Sequence, residues 1–508
     1  MNNSYWLILS NFNMQFFTGE FVILCILIFI TTRLRRRLST EKLLKGLMIY
    51  IPPDEKLIQN AQKHPEKFYL NCVRIDDEFS RASPFFADAD LLVLMATIAG
   101  TLIAVCSIFT EDFYISMEQN LSFYMCLLVV FIAISGAYSQ AMASGFKNPD
   151  NMIGLFFTLL IFFMGSLLIY LDHQAVFDFN FHLTLKLLSL QLTAAFQVFW
   201  PASIEIDQLT FSITLAGIFA ICIFPFFKYI FRATMNYYST RETPFDVKGV
   251  KENRVQYTLV IISPLIVMIM WIKPMLKNHL VPNLMSEWGY EIFRIAVVVG
   301  VILLRLFNIR NEVQALLNQS KHLIYGILLN PTKENVETST MQAKALATYA
   351  WPLGHQSLCN ICVTLFVLIL MISRGSLSAP YPVPIEHKNE IINKTPEFYD
   401  EEEFIIKDIP AYPIITPSRT TVYYNEIRQM EKEIADLRQN RTTLQEAAKD
   451  EKNFVQKLLS VNKKGLVPAF FYRDLFGFII WWQSVTWSLA TIMSLLYTRR
   501  FTNKAKKE

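Results

Sequence analysis

Long apolar runs separated by short polar ones set the pattern of this chain. The runs fall at 16–31, 90–109, 121–142, 152–171, 211–231, 257–276, 290–306, 345–373 and 468–497. Most approach or exceed the roughly 18 apolar residues that carry a helix through hydrocarbon. The pattern predicts an all-α, polytopic helical membrane protein with about nine transmembrane helices. An odd count places the termini on opposite sides of the membrane. The runs divide the chain into an N-terminal anchor helix (1–31), a basic, amphipathic segment (32–89) and a main transmembrane bundle (90–373). A long loop (374–467) and a last helix with a basic tail (468–508) complete it.

Composition agrees with this reading. Of 508 residues, 53% are hydrophobic, 41 are Phe and only 18% are charged. The net charge of +4 gains meaning only once it is distributed over the loops. Segments 32–87, 143–151, 232–256, 307–344 and 498–508 together hold about 26 Lys and Arg, against about 2 in the alternate short segments, and short basic loops stay cytoplasmic. The N-terminus is therefore expected outside and the C-terminus in the cytoplasm. In the first run the charges RLRRR (33–37) follow the apolar stretch. A cleaved secretory signal has the opposite order, so the run reads as an uncleaved signal-anchor.

The same alternation puts the long loop outside, where two sequons, Asn393-Lys394-Thr395 and Asn440-Arg441-Thr442, predict glycosylation at Asn393 and Asn440. Asn318-Gln319-Ser320 falls on the cytoplasmic side and is expected to stay bare. Within the loop, 380–417 is rich in proline and acid, including Asp400-Glu401-Glu402-Glu403, and is expected to be extended or disordered. From 424 to 459 the pattern turns helical, and Ile427, Met430, Ile434, Leu437 and Leu444 fit about three heptads of a short helix packing on its own protein.

Chemistry motifs are sparse. Cys359 and Cys362 form a C-x-x-C inside an apolar helix, where they read as small packing residues, and no extracellular disulfide framework is expected from the seven cysteines. The seven histidines are scattered, and there is no H-E-x-x-H, G-x-S-x-G, P-loop or acidic EF-hand loop. No enzyme, cofactor or metal site is predicted, and nothing points to nucleic acid. The basic segment after the first run suits either a surface helix on anionic lipid or a topology signal alone.

The exception to this apolar monotony is EIFRIAVVVGVILLRLFNIRNEVQALLN, residues 291–318. Arg294 and Arg305 stand 11 residues apart, so they share a helix face about 16 Å apart along the axis. Arginine at membrane depth is costly and normally faces the bundle or a wet cavity with a partner. Glu20, Glu291 and Asp474 are candidate partners. Lys273, ahead of a Pro274 that kinks or ends the helix, and Arg310, Arg473 and Asp474 join them in an expected intramembrane charge network. The eighth run holds Pro352, Gly354, His355, Gln356 and Asn360, the composition of a helix broken to line a cavity.

The run WIKP, the seventh span with its arginines leading into RNEVQALLN, and YRDLFGFIIWW near the C-terminus resemble the transmembrane protein 161 family of eukaryotic polytopic proteins. The matching positions are Lys273, Pro274, Arg294, Arg305, Arg310, Gln314, Asn318, Arg473, Trp481 and Trp482. The resemblance implies a non-catalytic regulator of potassium and calcium currents, excitability and cardiac rhythm, with one branch tied to oxidative stress. It also implies the lipid bilayer and ion channels or other membrane proteins as partners, and the plasma membrane in preference to the endoplasmic reticulum. Read from the residues alone, a transporter or channel using the intramembrane arginines as an anion or polar-solute site stays open.

Overall fold

The computed structural model describes residues 19–34, 46–50, 72–74, 85–109, 121–142, 149–171, 176–196, 203–241, 254–281, 284–329, 354–373, 427–432, 434–435 and 467–505. The helices, in chain order, are α1 (Gly19–Leu34), α2 (Phe85–Phe109), α3 (Leu121–Met142), α4 (Pro149–Leu171), α5 (Phe181–Phe196) and α6 (Gln208–Arg241). They continue with α7 (Arg254–Met270), α8 (Glu287–Leu329), α9 (Gly354–Met371) and α10 (Ala469–Ala505). Among the described residues the one sheet is a ribbon of β1 (Met48–Tyr50) and β2 (Cys72–Arg74), antiparallel, with Ile49 opposite Val73.

Among the described residues, six helical stretches are long and apolar enough to cross a membrane: Asp88–Val105, Leu121–Gln140, Gln208–Met235, Glu287–Asn318, Gly354–Met371 and Phe470–Tyr497. The other three expected spans coincide with α1, α4 and α7. Their apolar stretches, Phe21–Arg33, Phe156–Tyr170 and Val255–Met270, are shorter among the described residues. Asn393, Asn440, the acidic run at 400–403 and residues 345–353 with Pro352 lie outside the described residues.

The chain forms two compact units. The first comprises Met1–Phe179, Leu209–Met371 and Leu475–Glu508. Its peripheral members leave much of their surface open, with 28% of the α2 span buried, whereas α9 is 89% buried and therefore central. That contrast follows from sequence. Phe131, Phe156, Phe163 and Phe307 stand exposed on the outer helices, as lipid-facing residues do. The face of α9 instead carries His355, Gln356, Ser357 and Asn360, all buried. Close approach is possible because Gly136 of α3 meets α9, where an added Cβ would stand 3.0 Å from His355 Nε2. Ser484, Thr486 and Ser488 of α10 are buried too, each hydroxyl donating to the carbonyl four residues earlier. Toward the other edge, Leu24 of α1 packs with Ile98 and Leu102 of α2.

The second unit comprises Asn180–Gln208 and Ile372–Asp474. Here α5, which no apolar run announces, sets Leu183 and Leu187 against Ile427 and Phe470. Lys186 pairs with Glu431 at 2.9 Å. The described part of the loop helix, 427–432, thus packs on its own protein.

Candidate functional site

The site grows from a break in α7. Proline has no N–H to donate and crowds the carbonyl four residues back, so Pro274 favours a break here, although α7 runs through Pro264 and α6 through Pro225. The helix ends at Met270, six residues short of the expected limit at 276; Ile272 is extended, with φ −93° and ψ 104°. A five-residue π-turn, Lys273–Lys277, follows. Ending a helix frees backbone groups that need partners. Segment 176–178 supplies them: Asp178 N donates to Trp271 O at 3.0 Å, Lys273 N donates to Val176 O at 2.9 Å, and Phe177 bridges Ile272. Tyr290 Oη, from α8, donates to Met270 O at 2.7 Å.

This backbone pairing delivers Asp178 to Arg294. Arg294 Nη2 lies 2.5 Å from Asp178 Oδ2 and Nη1 lies 3.4 Å from Glu291 Oε2. Lys277 Nζ takes the other Asp178 oxygen at 2.8 Å and reaches Glu287 at 3.8 Å. The guanidinium carbon sits 4.7 Å from the Trp271 ring centre and 5.0 Å from that of Tyr290, an aromatic sandwich that suits a weakly hydrated cation. Two cations and three carboxylates thus share one cluster, and Arg294 is 1% exposed.

Arg305 meets different surroundings. Its guanidinium stacks 3.9 Å from the Trp487 ring centre, and Nη1 donates to Asn360 Oδ1 at 3.4 Å. Gln483 Nε2 donates to the same Asn360 oxygen at 2.8 Å, and Thr364 donates to Gln483 Oε1 at 3.1 Å. Among the described residues no carboxylate forms an ion pair with Arg305. Glu312, seven residues on and buried, accepts instead from Tyr229 Oη at 2.5 Å, Asn308 Nδ2 at 3.1 Å and Ser357 Oγ at 3.2 Å. Gln314 bonds Asn318 at 2.9 Å and clasps Met48, accepting from its N–H at 3.0 Å and donating to its C=O at 3.2 Å. The ribbon is thereby tied to α8.

The sequence-predicted residues divide accordingly. Of the three candidate partners expected for Arg294 and Arg305, Glu291 pairs with Arg294, and the side chain of Glu20 lies outside the described residues. Asp474, in the second unit, pairs with Arg473 at 2.9 Å and accepts from Asn180 N at 3.2 Å, at the start of α5. Lys277 enters the Arg294 cluster through its side chain, and Lys273 joins the adjoining backbone pairing through its N–H. Arg310 is exposed, beside Gly46, whose φ of +83° is the left-handed turn leading into β1. Trp481 joins an aromatic group with Phe177, Phe179, Phe478 and Trp482, and its indole N–H donates to Met268 O at 3.1 Å. In the eighth run, 354–371 is helical without interruption. Asp178, Lys277, Glu312 and Trp487 were missed. The one signal for Asp178 was its place as an acid close before a helix-breaking partner in space, which sequence spacing does not encode.

A family model described as predicted transmembrane protein 161AB matches residues 66–502. No solved structure matches the chain.

Proposed function

The chain belongs to the predicted transmembrane protein 161AB family, and from that membership and the bundle's interior we propose a non-catalytic regulator of membrane ion currents. In this reading the protein acts on potassium and calcium currents, and so on excitability and cardiac rhythm, through contact with channel proteins in the same bilayer. Its setting is the plasma membrane, with nine spans, the N-terminus outside, and the loop at 374–467 extracellular. The closed state of the Arg294 cluster supports a regulator over a conduit. A cation packed against two rings and paired with Asp178 and Glu291 fixes helix positions, a structural use of charge.

A second reading, an intrinsic transporter or channel, is favoured by Arg305, which forms no ion pair among the described residues. Recording from purified full-length protein in planar bilayers separates the two. The regulator reading expects silence there, together with altered potassium or calcium currents in cells that express the protein. An intrinsic current or flux that disappears in Arg305→Ala overturns it.

A further inference from the structure

We propose that α8, where it meets the β1–β2 ribbon, binds the headgroup of an anionic phospholipid through Arg310 and Arg74. The open face of α8 carries an apolar stripe: Val299, Leu303 and Phe307 follow four residues apart, all exposed, Phe307 by 70%. The next exposed position along the helix is Arg310, on the same face. The stripe fits the depth of a bilayer. Exposed Trp288 marks its other end, as interfacial tryptophans do. About 20 residues of helix cross the roughly 30 Å of hydrocarbon, which brings the second boundary to the turn holding Phe307 and Arg310. Arg310 therefore stands at headgroup level, with Phe307 among the acyl chains.

The ribbon turns a snorkelling arginine into a site. Gln314, one turn beyond Arg310, holds both backbone groups of Met48, and Leu47 is buried, so the ribbon is fixed to α8. The left-handed turn at Gly46 runs beside the Arg310 guanidinium, where an added Cβ would stand 3.3 Å from Nη2. In the ribbon Met48 lies opposite Arg74, whose side chain is exposed. Two cations thus reach one corner, and among the described residues neither forms an ion pair. The sequence entering Gly46 is basic as well, with RLRRR at 33–37, Lys42 and Lys45. Charge complementarity selects an anionic headgroup, and the planar guanidinium suits its phosphate. A free phosphate would meet the cations alone, whereas a lipid also lays its chains on Leu303 and Phe307. The orientation proposed above makes this the cytoplasmic leaflet, where anionic lipids concentrate. The contact itself does not depend on that orientation, because a nanodisc offers both leaflets. It goes beyond both readings of function, since it requires neither current nor flux.

The test uses the full-length protein in nanodiscs of phosphatidylcholine, alone or with a rising fraction of phosphatidylserine or of a phosphorylated phosphatidylinositol. A ligand of the folded state raises the unfolding midpoint in a saturable way. The wild-type midpoint is expected to climb by a few degrees and level off with one or both anionic lipids, the two arms separating a singly charged headgroup from a multiply charged one. Arg310→Gln and Arg74→Gln are each expected to match wild type in phosphatidylcholine, since both side chains are exposed, and to lose at least about half of the gain. Arg428→Gln removes the same charge from an exposed position of the second unit and should keep the gain. A wild-type midpoint indifferent to lipid charge overturns the proposal, as does an Arg310→Gln or Arg74→Gln protein that gains as wild type does. Loss of the gain in Arg428→Gln would reduce the effect to overall charge, and an equal gain from inorganic phosphate added to phosphatidylcholine discs would assign the site to a free anion; either result also overturns it.

Discussion

A guanidinium taken out of water costs several kcal/mol unless its charge and its donors are both met, and removing one partner from a buried pair costs about 3–5 kcal/mol. Asp178 is that partner for Arg294. Asp178→Asn keeps the shape and an acceptor but deletes the charge that both Arg294 and Lys277 use. The variant is expected to lose stability on that scale, read as a lowered unfolding midpoint of the purified protein. Adding Arg294→Gln to it is expected to recover part of the loss, since the uncompensated cation is then gone too. A midpoint unchanged in Asp178→Asn would mean the pair contributes nothing. The arginines themselves were legible, because an isolated charge in an apolar run stands out. Their partners were not. Asp178 lies in the inconspicuous stretch FDFN (177–180), and Asn360 and Trp487 come from helices remote in sequence, so only packing selects them.

Among elements, the break after α7 has the widest consequence. Pro274→Ala restores an N–H and removes the clash, so α7 is expected to run on through Trp271 and Lys273. Those residues would then turn their backbone groups inward and release segment 176–178. Amide hydrogen exchange checks this. The Asp178 amide, held at 3.0 Å by Trp271 O, should exchange at least about tenfold faster in the variant. Equal protection would show that the pairing does not depend on the break. Helices were legible where apolar runs are long, as in α2, α3, α6 and α8. The amphipathic α5 was not, because HLTLKLLSL alternates polar and apolar residues in a period closer to a strand's. Its helix is set instead by burial of Leu183 and Leu187 against Ile427 and Phe470.

Across the whole molecule, the proposed orientation rests on the uneven distribution of lysine and arginine. It makes a direct prediction for the loop at 374–467. Protein from mammalian cells is expected to shift to higher mobility on glycosidase treatment, and the shift should shrink stepwise in Asn393→Gln and Asn440→Gln. A chain that migrates identically before and after treatment would leave the external placement without its main support. The membrane character was legible from hydropathy alone. The division into two compact units was not, since one unit is assembled from α5 and a stretch nearly 200 residues later.

The stacking of Arg305 on Trp487 also bears on how the protein is made. Asp178 precedes Arg294 by 116 residues, so its counter-charge already exists when Arg294 leaves the ribosome. Arg305 has no such luck: Asn360 follows by 55 residues and Trp487 later still. At about 5–20 residues per second, the stacking indole arrives roughly 10–40 s after the arginine. Throughout that interval the charge on α8 lacks the ring that stacks on it, and only the arrival of α10 completes its surroundings.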